Sequence, residues 1–356
     1  MIYSKQLFRI LVFSIALLLL IPGLFLGKSI IQKNMKVNDQ SLKISGQISE
    51  TLAPPEISGW IAWWKEDAAY NLLQKYPGKI KSVSPVWFRI NESLDLEDVG
   101  EVDRNKTVTK LKSAGIMIFP SLGSELNAEQ FSPLLDNAQK QEEVIGKFVS
   151  QLTTLGVDGA DIDLEGIKKE DKDLFSLFLS KISDEFKKRK LTLIITIHAR
   201  TDRVEWEGVL GQDIQKIGQI ADTVRIMTYD KHSASTEPGA IAPLDWIKDV
   251  AIYNSRLINK KKIVFGIPSY GYVWNDDDSR GLQFDEFGNF LAGKNYTKVR
   301  DNKSDELIYR SNKFEGWLSD SQSMIAKIEH LRTLGFNKFV IWHLGGMDEK
   351  FFEKNW

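Results

Sequence analysis

Cysteine is absent from all 356 residues, which excludes disulfides, catalytic thiols and thiolate metal sites at once. Histidine is scarce. His198, His232, His330 and His343 are the whole complement, and none has the His-Glu-x-x-His spacing of a zinc hydrolase. Charge of one sign is missing too, since 47 Lys and Arg face 48 Asp and Glu for a net charge of −1. So balanced a chain has no broad basic field for nucleic acid or anionic lipid. No Gly-x-Gly-x-x-Gly follows any apolar run, so the dinucleotide-binding fingerprint is missing as well. A thiolate metal site and a His-Glu-x-x-His zinc site are therefore not expected.

Long hydrophobic runs are lacking except at the start. From Phe8 to Leu26 the chain is almost wholly apolar, with Lys5 and Arg9 near its beginning and Lys28, Lys33 and Lys36 after it. Nineteen residues are enough, barely, to span a bilayer. A cleavable signal peptide is the alternative, but Leu24-Phe25-Leu26-Gly27 offers no small-x-small cleavage site. The expectation is a membrane anchor over residues 1–27, with export of the rest of the chain. Lys and Arg flank both ends, so charge alone does not orient it. Residues 28–55 are polar, end in Ala53-Pro54-Pro55, and read as a linker.

What is present in quantity is rhythm. Short β-rich apolar runs occur at 57–64, 80–88, 115–120, 157–163, 191–198, 223–229, 263–270 and 338–343. Helix-like stretches lie between most of them, for example 142–154 with Val144, Ile145, Phe148, Val149 and Leu152, and 171–190 with Phe175, Phe178, Leu179, Ile182 and Phe186. Eight alternating units predict an α/β fold, a closed (β/α)8 TIM barrel over residues 56–356. An open doubly wound sheet is the rival. Residues 275–313, between the seventh and eighth runs, are rich in Asp, Gly, Asn and Lys and read as a small insertion.

The fourth run carries the chemistry. Residues 157–166 read Val-Asp-Gly-Ala-Asp-Ile-Asp-Leu-Glu-Gly, with Asp161, Asp163 and Glu165 alternating with Ala160, Ile162 and Leu164. In an extended strand those acids share one face, neighbouring Cα atoms being about 7 Å apart. Carboxyls crowded in this way repel, so at least one should keep its proton, as a general acid requires. A solvated acidic edge has no need of the three apolar residues, and a calcium loop needs turns rather than alternation.

That decapeptide resembles the Asp-Gly-x-Asp-x-Asp-x-Glu signature of glycoside hydrolase family 18, without departure. The segment Met227-Thr228-Tyr229-Asp230 and the Trp342 that ends the eighth run resemble further family positions. The block from Met227 to Trp274 is most similar to the spore-germination and cell-wall N-acetylglucosaminidase branch. The resemblance implies that Glu165 protonates the glycosidic oxygen while the substrate's own 2-acetamido carbonyl attacks the anomeric carbon. It implies that Asp163 orients the acetamido group, that Asp161 shares a proton or hydrogen bond with Asp163, and that Tyr229 assists. Trp342 would be the floor under the reacting sugar, with Asp230, Met227, Tyr270 and Trp63 as further substrate contacts. The implied substrate is an N-acetylhexosamine polysaccharide, peptidoglycan or chitin-type, and no cofactor is needed. A non-catalytic carbohydrate-binding lectin is the alternative, as is a scaffold that engages partner proteins.

Two places depart from the family. Ser124 stands where the family often carries the last Gly of Ser-x-Gly-Gly, which questions the local turn. His198 and Arg200, at the end of the fifth run, replace smaller or apolar residues. They either face the cleft or cap the strand.

Overall fold

The computed structural model describes residues 53–204, 206–275 and 278–356, which form one compact unit from Pro55 to Trp356. The expected anchor, and the linker up to residue 52, lie outside the described residues. Among the described residues no helix is long and apolar enough to cross a membrane.

Eight strands form the barrel: β1 (Glu56–Ile61), β2 (Ser82–Ile90), β3 (Ser121–Ser124), β4 (Gly159–Ile162), β5 (Thr192–His198), β6 (Thr223–Met227), β7 (Ile263–Pro268) and β8 (Lys338–Trp342). Each pairs in parallel with the next, and β1 also pairs with β8, so the sheet closes on itself. Strands covered on both faces read as near-continuous apolar runs, which is why Leu193, Ile194, Ile195 and Ile197 in β5 are all buried. The helices lay apolar stripes on the outside. Ala138–Leu155 buries Val144, Ile145, Phe148, Val149 and Leu152, and Lys172–Arg189 buries Phe175, Phe178, Leu179, Ile182 and Phe186. Phe148 meets Phe88 of β2 edge-on at 5.4 Å, which fixes the first of these helices to the barrel wall.

The third strand differs from the expected 115–120 run. Its long pairing with β2 lies at Ser121–Ser124, and only Met117–Ile118 pairs before it. Pro120 has no N–H to give, so the ladder is interrupted there and resumes beyond it. Ser124 needs none of glycine's freedom, because its φ is not positive. Its hydroxyl donates to the Ile90 carbonyl at 3.3 Å and accepts from the Leu126 N–H at 3.1 Å, so serine completes the turn with its side chain.

The excursion between β7 and β8 is larger than the 275–313 span, running from Tyr270 to Leu318. It holds five antiparallel strands (Tyr270–Asn275, Arg280–Gln283, Thr297–Arg300, Leu307–Arg310, Phe314–Leu318) and a helix, Phe284–Leu291. Eight residues give too few turns to show a clear helical period, but a capping box between Gln283 and Glu286 starts the helix. The insertion has its own core of Val273, Phe287, Leu291, Leu307, Tyr309, Phe314 and Leu318. Buried Glu306 ties it to the barrel. Its carboxylate accepts the Ile241 and Ala242 N–H groups at 2.8 and 2.9 Å and pairs with buried Lys327 at 3.1 Å. The loop after β6 is thereby held beside the carboxyl ends of the strands.

Candidate active site

The site begins with a steric condition on β4. A Cβ on Gly159 would lie 2.0 Å from the Thr192 carbonyl oxygen, so only glycine lets β4 and β5 approach. Asp158 accepts the Ile118 N–H at 2.8 Å and fixes the start of the strand rather than its active end. Strand pairing stops at Ile162, yet the alternation continues beyond it. Ala160, Ile162 and Leu164 are all in the core, while the three acids climb the other face from interior to solvent. Asp161 is wholly buried, Asp163 is half-buried, and Glu165 has 51% of its side-chain surface open at the cleft.

Four donors converge on Asp161. Its Oδ2 accepts Trp60 Nε1–H at 2.7 Å, Arg225 Nη1–H at 2.6 Å and Ser121 Oγ–H at 3.4 Å, and its Oδ1 accepts Thr196 Oγ–H at 2.8 Å. The expected hydrogen bond or shared proton between Asp161 and Asp163 is not formed. Three of the donors crowd Oδ2 and one takes Oδ1, so the carboxylate is held by the barrel interior rather than by Asp163. Arg225 and Trp60 were not among the candidates read from sequence. Arg225 had a legible signal, a lone charge between the apolar residues Val224 and Ile226 of a strand.

Among the described residues the Asp163 carboxyl has no hydrogen-bond partner, and its Oδ1 is closed off from solvent. Burial first, then the charges of Glu165 and Asp161, hold its carboxyl well above the ordinary carboxylate range, with the Arg225 guanidinium working against them. Burial also raises Glu165, which lies in a concave wall despite its open side. Tyr229 is pushed well above the usual phenol value by burial and then by the surrounding carboxylates, so its hydroxyl stays a donor. Gly266 makes room for the Tyr229 ring, since a Cβ there would come within 2.8 Å of it.

The other candidates fall in two places. Met227 is buried in the cleft wall, and Asp230, with φ +60°, accepts hydrogen bonds from the Tyr270 hydroxyl and, at 3.0 Å, the Tyr272 hydroxyl. Aspartate tolerates that left-handed conformation better than most residues. Trp342 is half-buried, packs like Tyr229 against the cluster of Trp60, Val264 and Val340, and meets the wholly buried Trp60 edge-on at 5.8 Å. Trp63 is not brought to the acids. It is 44% exposed beside Trp64 and lines a separate hollow of about 720 Å³ that shares no residue with the cleft of Glu165.

That cleft has a volume of about 510 Å³ and is lined by Glu165, Met227, Tyr229 and Asp230, and also by His198, Arg200, Arg203, Lys231, Trp206 and Trp246. His198 and Arg200 therefore face the cleft. The imidazole Nε2 lies 3.7 Å from Glu165 Oε2, beyond hydrogen-bond reach, and its ring meets the edge of Trp206 at 4.8 Å. Burial lowers His198 to about 4, so the ring is neutral at neutral pH.

Residues 59–348 match the profile of Glycosyl hydrolases family 18. The chain is 24% identical to the uncharacterized glycosylase YvbX of Bacillus subtilis over 81% of this chain and 87% of that protein. It is 22% identical to the cortical fragment-lytic enzyme of B. subtilis over 68% of this chain, but spans only 58% of that relative's length. Among solved structures, a chitinase from Chromobacterium violaceum superposes with a TM-score of 0.75 at 20% identity, covering 84% of this chain and 97% of that one. The spore cortex-lytic enzyme SleL of Bacillus megaterium superposes with a TM-score of 0.73 at 19% identity, covering 84% and 73%.

Proposed function

The chain belongs to glycosyl hydrolases family 18, and from that premise we propose that it cleaves β-linked, N-acetylglucosamine-containing glycan of the peptidoglycan type with the help of the substrate's own acetamido group. The observation that carries this reading is the Asp163 carboxyl, raised in pKa and free of protein partners, between Asp161 and Glu165. A carboxyl so placed is available to the acetamido N–H, with the Tyr229 hydroxyl as a second donor to the same group. Glu165 gives its proton to the leaving oxygen as the acetamido oxygen closes on the anomeric carbon. Asp163 balances the positive charge of the resulting oxazolinium, and Glu165 then takes a proton from the incoming water. Trp342 supplies an indole face for the pyranose held there.

The choice of peptidoglycan rests on the charge of the cleft and on the names of the relatives. Arg200 and Arg203 line the wall of the cleft that holds Glu165 and Asp230. Cations in that place favour a sugar bearing a carboxylate over a neutral chitin chain. The similarity to cortical fragment-lytic enzymes points the same way. Purified peptidoglycan and chitin oligosaccharides, digested side by side and read by mass spectrometry, should give N-acetylglucosamine-ended products chiefly from the first. Cellulose should be inert. Release of glucose from cellulose would sink the substrate-assisted mechanism, and exclusive cleavage of chitin would move the assignment to a chitinase.

Phe8–Leu26 would hold the enzyme at the membrane with the barrel outside, close to its polymer. Fractionation of expressing cells should place the full chain in the membrane pellet, extractable by detergent but not by salt. A shortened chain in the medium would instead mean a cleaved signal.

A further inference from the structure

We propose that Arg225 is a positioning residue of the reaction: by pairing with Asp161 inside the barrel it ties that carboxylate down and leaves Asp163 unattached, free to turn to the substrate. The inference rests on the proposed glycosidase activity, and the geometry behind it is local. Arg225 and Asp161 have side-chain exposures of 2% and 0% and meet at 2.6 Å. The guanidinium is itself anchored, since Nη1 also donates to Ser84 Oγ at 2.6 Å and the cation lies 5.1 Å from the Trp60 ring centroid. Trp60 and Arg225, the two short contacts to Asp161 Oδ2, can only donate. Together with the Thr196 hydroxyl on Oδ1, they hold Asp161 in place without any bond to Asp163. Asp161 therefore bears on Asp163 through its charge.

The groups that face Asp163 are Asp161 and Glu165 on its own segment and Arg225 and Tyr229 from the strand across the barrel. His198, on the strand between, stands beside Glu165 and is neutral. Arg225 is the one cation in this set. Without it, Asp161 would lose its ion partner and turn to Asp163 for a proton, which would immobilise the group the acetamido needs.

The test uses the purified full-length chain with Arg225→Met, Arg225→Gln and Arg225→Lys. The first readout needs no catalysis. Thermal stability of each protein is compared with its Asp163→Asn counterpart across pH, and the point at which the two curves part reports the ionisation of Asp163. We expect that point to move to higher pH in Arg225→Met and to return in Arg225→Lys. The second readout is kinetic, on an N-acetylated chito-oligosaccharide. We expect kcat to fall about tenfold or more in Arg225→Met with KM little changed, and the acid limb of the pH profile to move to higher pH. If Arg225→Met does not fold, Arg225→Gln keeps a donor without the charge and carries the same comparison. A folded variant with an unmoved Asp163 midpoint and wild-type kcat overturns the proposal. A wild-type protein that hydrolyses no N-acetylated glycan, with the midpoint still displaced by the variants, would bring down the glycosidase reading and support the Arg225–Asp161–Asp163 coupling.

Discussion

Glu165→Gln is expected to lose at least about a hundredfold in kcat, the scale on which a general acid contributes. Glutamine keeps the shape of the side chain and its place at the cleft, but it cannot deliver a proton to a leaving oxygen. The surroundings of Glu165 favour the protonated form in the resting enzyme. Burial raises its pKa, and the imidazole nearest to it supplies no opposing cation because His198 is itself depressed to about 4. Asp230, held by Tyr270 and Tyr272 in the same cleft, is raised by burial and also by the Glu165 charge, so its presence favours a protonated Glu165 as well. Substrate binding should survive the substitution, since Trp342, Tyr229 and the cationic wall are untouched. Steady-state kinetics give the rate, and calorimetry with a short N-acetylated oligosaccharide gives the affinity. Retention of most of the rate would remove Glu165 from the acid role and require another group to protonate the leaving oxygen.

The acids and the strand that carries them were legible because they depend on local spacing, whereas Tyr229 and Trp342 at the ends of β6 and β8 stood out only through the family resemblance. Alternation over 160–165 predicts a shared face for Asp161, Asp163 and Glu165, and Ala160, Ile162 and Leu164 do fill the opposite one. Partners across the barrel obey no such rule. Trp60 is 101 residues from Asp161 and Arg225 is 64, so only closure of the ring brings them together. Arg225 announced itself as a charge in an apolar strand, but nothing in the sequence says which acid it meets. Trp63 shows the opposite error. It belongs to an aromatic pair at the end of β1, yet the chain turns into a short 3-10 helix at Trp63–Lys65 and carries the ring to the neighbouring hollow, while buried Trp60 reaches the acids. The insertion was visible as a break in the barrel rhythm. Its limits were not, because Tyr270–Asn275 reads as a continuation of β7 until it is seen to pair antiparallel with Phe314–Leu318.

Asp163→Asn should be nearly as inactive as the Glu165 variant and, at neutral pH, more stable than the wild type. The activity loss, on the order of a hundredfold or more, stems from removing the carboxylate that orients the acetamido group and faces the oxazolinium, a role Asp161 cannot take over while it is bound to Arg225. The stability gain stems from proton linkage. Asp163 has a folded-state pKa well above the unfolded value of about 3.9, so between the two the folded protein binds more protons than the unfolded chain. Stability contributed by this group is then lost as pH rises through that window, because the folded state must either hold a buried anion or hold a proton that the unfolded chain releases freely. Asparagine never ionises and escapes the penalty. Thermal denaturation between about pH 4 and pH 8 should therefore show the two proteins converging at the acid end and the variant melting higher at the neutral end. Equal melting points throughout would mean that Asp163 is not perturbed, and the poised carboxyl on which the mechanism depends would be lost with it. The cost to the fold and the service to the reaction have one origin, a carboxyl kept without partners so that its first hydrogen bond can be to the substrate.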